Sequence, residues 1–212
     1  MFFKDHFNEI VLTEYGVIES LTAVFYFIGI TRFFKLLRYF EGLPRLYFSL
    51  WFFLAIMFFL EETSYLQHYI NYETPSYFLT YNAQKELNFH NITTAGGSLI
   101  DALNSESFDS SVLLKSQNLF NIGFAFYFLI FPILVSWIGS LKSIVISLSI
   151  PTVGIRFVVC VWIPISLAVL LGFSDPDNST YLRAYMGEAR EMLYSLAIMV
   201  FSFLHRSKTL LS

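Results

Sequence analysis

Five stretches of the 212-residue chain are apolar and long enough to cross a lipid bilayer. They cover residues 10–30, 46–68, 119–139, 152–173 and 188–204. A helix needs about 20 mostly apolar residues to span the hydrocarbon core of a membrane. Because backbone polar groups in that core must find partners within the chain, these stretches are expected to be α-helices. The pattern predicts an all-α polytopic integral membrane protein with a single transmembrane domain over residues 1–212.

The composition supports this class and excludes others. Hydrophobic residues make up 56% of the chain and charged residues 14%, whereas soluble proteins carry about 25% charged residues. The net charge of −3 and the lack of a long basic stripe argue against a nucleic-acid partner. The single cysteine, Cys160, excludes an internal disulfide and a cysteine metal cluster.

Basic residues near the ends of the stretches predict the orientation in the membrane. The segment after the first stretch carries Arg32, Lys35, Arg38 and Arg45 against a single acid, Glu41. Further basic residues follow the third and fifth stretches. Because Lys and Arg concentrate in cytoplasmic loops, the N-terminus is expected outside and the C-terminus in the cytoplasm. The expected location is a bacterial inner membrane, with an outer loop over residues 69–118.

Two glutamates follow the second apolar run directly. The run from Leu46 to Leu60 has fifteen residues, which is about 22 Å of helix. The hydrocarbon core is about 30 Å thick. The helix is therefore predicted to continue through Glu61 and Glu62, which would lie near the outer boundary of the membrane.

The outer loop begins with a sequence that is typical of a helix start. Thr74 suits the N-cap position and Pro75 the first helical position, so "TPSYFLTYNAQKELNFHN" is predicted to form an interfacial helix. In such a helix Asn82, Glu86 and His90 would share one face. An extended segment is the alternative, because polar residues alternate with mostly apolar ones from Asn82 to His90. In both cases Glu86 and His90 point the same way.

Acidic and imidazole side chains from several stretches are predicted to meet at the outer face. Glu61 and His68 would share a helix face, as would Glu188 and Glu191 at i, i+3 spacing. Carboxylates with one or two imidazoles are ligands for Zn, Fe or Mn. The candidate ligands of a divalent metal are Glu62, His68, Glu86, His90, Glu188 and Glu191. The candidate catalytic residues are Glu61, Glu62 and Glu86, and the candidate orienting residues are Asn82, Gln84 and Asn88.

Two functions fit this cluster. A metal at the membrane surface could activate water, which favours a metal-dependent hydrolase whose substrate is a membrane lipid. The alternative is a non-enzymatic subunit or assembly factor of a larger membrane protein complex. In that case the cluster is an internal core of hydrogen bonds and ion pairs, and the partners are other membrane subunits. Whether the protein is an enzyme stays open at this point.

The polar residues also form a pattern with fixed spacing. Glu61-Glu62-x-Ser64-Tyr65-x-Gln67, then Thr74-Pro75, then Asn82-x-Gln84-x-Glu86-x-Asn88-x-His90-Asn91 is the order in this chain. It resembles a pattern of uncharacterised bacterial polytopic membrane proteins, in which a Trp usually stands where this chain has Tyr65. No activity is assigned to that family. The resemblance implies that the polar positions act as one unit, and it says nothing about a reaction.

Overall fold

The computed structural model describes residues 17–82, 85–89, 116–173 and 180–205. These residues are helical almost throughout, and no β-strand occurs among them, which confirms the predicted all-α class. The helices are α1 (Val17–Tyr39), α2 (Gly42–Glu62), α3 (Gln67–Ile70), α4 (Ser76–Tyr81), α5 (Ser116–Ala125), α6 (Phe131–Trp137), α7 (Gly139–Ser147), α8 (Ile155–Phe173) and α9 (Thr180–Leu204). A 3₁₀ turn at Ser64–Leu66 joins α2 to α3, and a π-helical turn at Phe126–Ile130 joins α5 to α6.

Four helical segments in the described part of the chain are long and apolar enough to cross a membrane. They are Val17–Tyr39, Gly42–Glu62, Asn118–Trp137 and Ile155–Gly172. The protein is therefore membrane-embedded and polytopic. Helix α9 has 25 residues but carries Glu188, Arg190 and Glu191 in its first half, and it is not one of the four. The predicted fifth span at 188–204 thus stays a prediction.

The first helix ends later than the sequence suggested. It continues to Tyr39, so Arg32, Lys35 and Arg38 lie on its last turns and not in a loop. Lys and Arg are good helix formers, and a cation in the last turn interacts favourably with the carbonyl end of the helix. Residues 10–16 of the predicted span lie outside the described residues.

The chain divides into two compact units. One contains residues 1–59 and 131–212, and the other contains residues 60–130. In the first unit, α9 packs against α1 and α8. Helices α1 and α9 are in van der Waals contact at Gly29, where a Cβ would lie 3.8 Å from the Cα of Met199, an ordinary contact distance. Small residues at such interfaces are typical of membrane helices, whose association depends on close van der Waals packing.

Aromatic rings fill the centre of the first unit. Phe33 and Phe201 are fully buried, with ring centroids 6.1 Å apart, and Trp51 lies 5.2 Å from Phe201. The ring of His205 lies 4.8 Å from Phe201 and 5.5 Å from Phe48, and its Nδ1 lies 3.2 Å from the carbonyl oxygen of Phe201. His205 is therefore a buried residue that ends the aromatic core next to the last turn of α9.

Candidate functional site

Helix α2 continues through Glu61 and Glu62, as the length of the apolar run predicted, and it ends there. The next residues Ser64, Tyr65 and Leu66 have φ values of 45°, 54° and 61°. This backbone is left-handed, which costs about 1–2 kcal/mol for each residue that is not glycine. The prediction that Glu61 and His68 lie two turns apart on one helix is therefore wrong, because the left-handed turn separates them.

The left-handed turn is stabilised by a backbone hydrogen bond and by the hydroxyl group of Tyr72. The backbone N–H of Leu66 donates to the carbonyl oxygen of Thr63 at 2.8 Å. The hydroxyl of Tyr72 lies 3.2 Å from the carbonyl oxygen of Tyr65 and 3.4 Å from that of Ser64. The hydroxyl of Tyr72 is therefore the hydrogen-bond donor for two carbonyl groups of the left-handed turn.

The predicted interfacial helix is shorter than the sequence suggested. Among the described residues of this segment only Ser76–Tyr81 is helical, with Pro75 at the N-cap position and no side-chain hydrogen bond at the cap. Asn82 is extended, and Lys85 has a φ of 60°. The prediction that Asn82 and Glu86 lie along one helix face is thus wrong. The chain instead makes an irregular turn that brings residues 85–89 towards the end of α2.

The centre of the site is a chain of side-chain hydrogen bonds around Ser64. Its hydroxyl donates to Oε2 of Glu86 and accepts a hydrogen bond from Nδ2 of Asn88 at 3.2 Å. Asn82 donates from Nδ2 to Oδ1 of Asn88 at 2.6 Å and to its backbone carbonyl at 2.8 Å. All four residues are buried, and Asn88 is only 1% exposed. Buried polar groups need such partners, because an unsatisfied one costs about 1–3 kcal/mol.

Glu61 makes a second set of contacts between the two segments. Its Oε1 accepts a hydrogen bond from the hydroxyl of Tyr65 at 2.7 Å, and its Oε2 accepts one from the backbone N–H of Phe89 at 2.7 Å. The rings of Tyr65 and Phe89 also meet edge to face, with centroids 6.2 Å apart. Burial, together with the hydrogen bond to Glu61, raises the pKa of Tyr65 well above its ordinary value, so this phenol keeps its proton at physiological pH.

Gln67 makes a third set of contacts between the two segments. Its Oε1 accepts a hydrogen bond from the backbone N–H of Leu87 at 2.9 Å, and its Nε2 donates to Oγ1 of Thr74. Thr74, which the sequence predicted to cap a helix, therefore uses its hydroxyl on a different partner. The amide of Gln67 is buried between the two segments that it joins.

Together these contacts form one device, which we call the polar clamp. It consists of Glu61, Ser64, Gln67, Asn82, Glu86 and Asn88. Glu61, Ser64 and Gln67 follow one another at intervals of three residues, and each contacts the segment 85–89. The clamp thereby ties the end of the second apolar helix to a segment more than 20 residues later in the sequence.

Among the described residues, the structure brings four members of the predicted site together. Glu61, Glu86, Asn82 and Asn88 meet in the clamp, and Glu62 is half-buried at the last position of α2. His68 lies on α3, but its side chain is outside the described part of the structure, as are Gln84 and His90.

The acids of α9 belong to the other compact unit. Glu188 and Glu191 are half-buried on that helix, and a carboxylate oxygen of Glu191 lies 3.9 Å from Arg190. Their participation in one site with Glu86 stays a prediction.

The contacts of Ser64, Gln67, Tyr72 and Thr74 were not predicted from the sequence. Ser64, Gln67 and Thr74 already stood in the quoted pattern, and the three-residue interval from Glu61 to Ser64 and Gln67 was the available signal. Tyr72 and Thr74 act through contacts that depend on the left-handed turn. No local sequence rule predicts such a turn without glycine.

Among the described residues, no group of three or more His, Cys, Asp or Glu side chains is arranged to hold a metal ion. Glu86 instead faces the hydroxyl of Ser64. A Zn, Fe or Mn site that includes His68 or His90 stays a prediction.

No protein-family model, curated protein or solved structure matches the chain. The function is therefore argued from the fold, the clamp and the surfaces of this chain alone.

Proposed function

We propose that this protein is a non-enzymatic subunit or assembly factor of a larger membrane protein complex, and that the polar clamp holds a partner-binding segment in place. The observation that carries the proposal is that the carboxylates of the clamp point towards hydrogen-bond donors of the chain itself. The carboxylates of Glu61 and Glu86 accept hydrogen bonds from Tyr65, Phe89 and Ser64, all within the same short part of the chain. Three carboxylate oxygens, both of Glu61 and Oε2 of Glu86, therefore already accept hydrogen bonds from within the chain.

The segment that the clamp fixes carries apolar side chains on its outside. The side chains of Tyr77, Leu79, Tyr81 and Phe89 are each about half exposed. Tyrosine is frequent among the residues that dominate protein–protein interfaces, since it offers a large rigid contact area with a polar tip. Fixing such residues before binding lowers the entropy that association costs. The clamp and the exposed rings therefore suit a preorganised binding surface for another membrane subunit.

Two substitutions at Glu86 separate this function from catalysis. Glu86→Gln keeps an oxygen that accepts the hydrogen bond of Ser64, whereas Glu86→Ala leaves the buried hydroxyl without this partner. We expect the Ala variant to lose about 1–3 kcal/mol of stability and the Gln variant to lose less. The tagged wild-type and Gln proteins should migrate in one large assembly on native gels of mildly solubilised membranes, and the Ala protein should not. Lys142→Gln serves as the surface control. A wild-type protein that migrates alone contradicts the proposal.

A metal-dependent hydrolase that acts on a membrane lipid is the second candidate. It is favoured by the left-handed backbone at Ser64, since strained backbone is frequent at functional sites. A serine hydroxyl beside a carboxylate also resembles an activated nucleophile. Elemental analysis of the purified protein tests this function, with Glu86→Gln and His90→Ala as variants. Stoichiometric Zn, Fe or Mn that both variants lose supports the hydrolase, and its absence from the wild-type protein argues against it.

We further propose five spans, with the N-terminus outside and the C-terminus in the cytoplasm of a bacterial inner membrane. The proposal is supported by the four cations at the end of α1 and the start of α2, opposed only by Glu41. Cysteine labelling in intact cells tests it in a Cys160→Ala background. An impermeant maleimide should label Ser76→Cys at the start of α4 and should not label Ser140→Cys in α7. The reverse pattern would invert the orientation.

A further inference from the structure

Four cations lie close together in sequence where α1 ends and α2 begins. Arg32, Lys35 and Arg38 are spaced three residues apart, so they lie within an arc of about 120° on α1, and Arg45 lies in the first turns of α2. Lys35, Arg38 and Arg45 are exposed, and Arg32 is half-buried. In the part of the chain that the structure describes, none of the four forms an ion pair with a carboxylate. The region carries four positive charges against the one negative charge of Glu41.

Two of the guanidinium groups rest on aromatic rings. The central carbon of Arg38 lies 4.7 Å from the centroid of Phe34, and that of Arg32 lies 4.3 Å from the centroid of Phe203. Nε of Arg32 is buried and has no hydrogen-bond partner. A guanidinium that stacks on a ring keeps its N–H edge free for a planar or tetrahedral oxyanion. Arg38 is exposed, so its N–H edge is accessible to an oxyanion.

The surface next to the cations is apolar. Phe27 and Phe34 are exposed on α1, and each lies beside a ring of α2, Phe27 at 6.1 Å from Phe59 and Phe34 at 5.8 Å from Phe52. At 100° per residue, Phe27 and Phe34 lie on nearly the same side of α1 as Arg38. A stripe of rings therefore leads along the membrane-spanning part of the helix to the cations at its end.

We propose that Lys35, Arg38 and Arg45 bind the phosphate of an anionic membrane phospholipid, with an acyl chain against the ring stripe of Phe27 and Phe34. Arg32 lies on the other side of α1, over Phe203, and is not part of this site. A soluble phosphate would use the cations and not the rings. A neutral phospholipid would use the rings and gain little from the positive charges. The combination of both features along one helix fits an anionic lipid, because basic residues beside a membrane span attract anionic headgroups. The proposal is independent of the polar clamp and of the proposed function.

The experiment compares lipids on the intact chain. The purified protein is reconstituted in nanodiscs of phosphatidylcholine with and without phosphatidylglycerol, and the tightly held lipid is counted by native mass spectrometry. We expect retained phosphatidylglycerol in the wild-type protein and about fivefold weaker retention for each neutralised cation in Lys35→Gln and Arg38→Gln. Arg38→Lys should also weaken retention of the lipid, since it removes the planar guanidinium group that stacks on Phe34 but keeps the charge.

Two controls make the result decisive. Lys142→Gln and Arg156→Gln remove one exposed positive charge elsewhere and should leave retention unchanged. Every variant must keep the wild-type melting temperature in pure phosphatidylcholine, so that loss of fold is excluded. Equal retention of the two lipids, equal loss in the control variants, or displacement of the lipid by inorganic phosphate at equal concentration would each overturn the proposal.

Discussion

The most informative perturbation of the clamp is Asn88→Asp, which replaces one NH₂ group by an oxygen atom. The donor from Nδ2 to the hydroxyl of Ser64 is lost, while Oδ1 can still accept the hydrogen bond of Asn82. Losing the donor costs about 1 kcal/mol. The new carboxylate and that of Glu86 both lie within one hydrogen bond of the Ser64 hydroxyl, so their oxygens are at most about 6 Å apart. At an effective dielectric constant near 20, this repulsion is worth about 3 kcal/mol.

The expected destabilisation is therefore about 4 kcal/mol at pH 7.5. For a chain of this size it corresponds to a fall in Tm of about 8–16 °C. Thermal unfolding in detergent, followed by intrinsic fluorescence, measures it. The same repulsion raises the pKa of the introduced carboxyl group. Lowering the pH to 5 therefore protonates part of it, and the difference in stability from the wild-type protein at the same pH should shrink.

Two matched variants isolate the cause. Asn88→Ala loses the side-chain hydrogen bonds to Ser64 and Asn82, at about 2 kcal/mol in total, with no dependence on pH. Asn71→Asp makes the same chemical change at an exposed position and should be nearly neutral. If Asn88→Asp is no less stable than Asn88→Ala at pH 7.5, or if its deficit does not change with pH, Asn88 and Glu86 do not share the hydroxyl of Ser64 and the clamp is wrongly described.

The remaining predictions concern other parts of the chain. Burial lowers the pKa of His205, whereas the unfolded residue titrates near 6.5. The unfolded state thus binds more protons below about pH 6.5, so stability should fall with falling pH there, and His205→Gln should flatten the dependence of Tm on pH. If both proteins lose stability equally between pH 7 and pH 5, other groups are responsible. A Cβ at Gly172 would lie 3.2 Å from Cβ of Met186, so Gly172→Ala should cost about 1 kcal/mol by overpacking, while Gly29→Ala should cost little. The opposite order of Tm values would contradict the helix contacts. Lys85 is exposed with a φ of 60°; Lys85→Gly should therefore stabilise the protein by up to about 1 kcal/mol, and Lys85→Ala should not. Equal effects of these two variants on Tm would argue against the left-handed backbone.

The sequence predicted those features that depend on length and hydropathy. The extension of α2 to Glu62 followed from comparing the length of the apolar run with the thickness of a bilayer, and the structure confirms it. The pattern also contains four residues that meet in the clamp, Glu61, Asn82, Glu86 and Asn88, while their predicted catalytic, metal-binding and orienting roles stay predictions. The prediction for α2 succeeded because the length of a span is a general constraint.

The local backbone could not be predicted in the same way. Three consecutive left-handed residues without glycine oppose their own propensities, and they persist through contacts with residues distant in sequence, such as Ser64 with Glu86. Thr74 fits a helix cap by composition, yet its hydroxyl binds Gln67 because that amide is buried beside it. In both places tertiary contacts outweigh local preference, and a sequence rule sees only the preference.

The polar clamp gives this chain a cross-link that does not depend on redox conditions. Glu61 and Phe89 are joined across 28 positions, a span that secreted proteins often close with a disulfide. The only cysteine of the chain, Cys160, lies on α8. A loop closed by hydrogen bonds reopens and closes without an oxidant, a reductant or an isomerase. The segment between α2 and residue 89 can therefore reach its final form on either side of a membrane, and reducing agents should leave it unchanged.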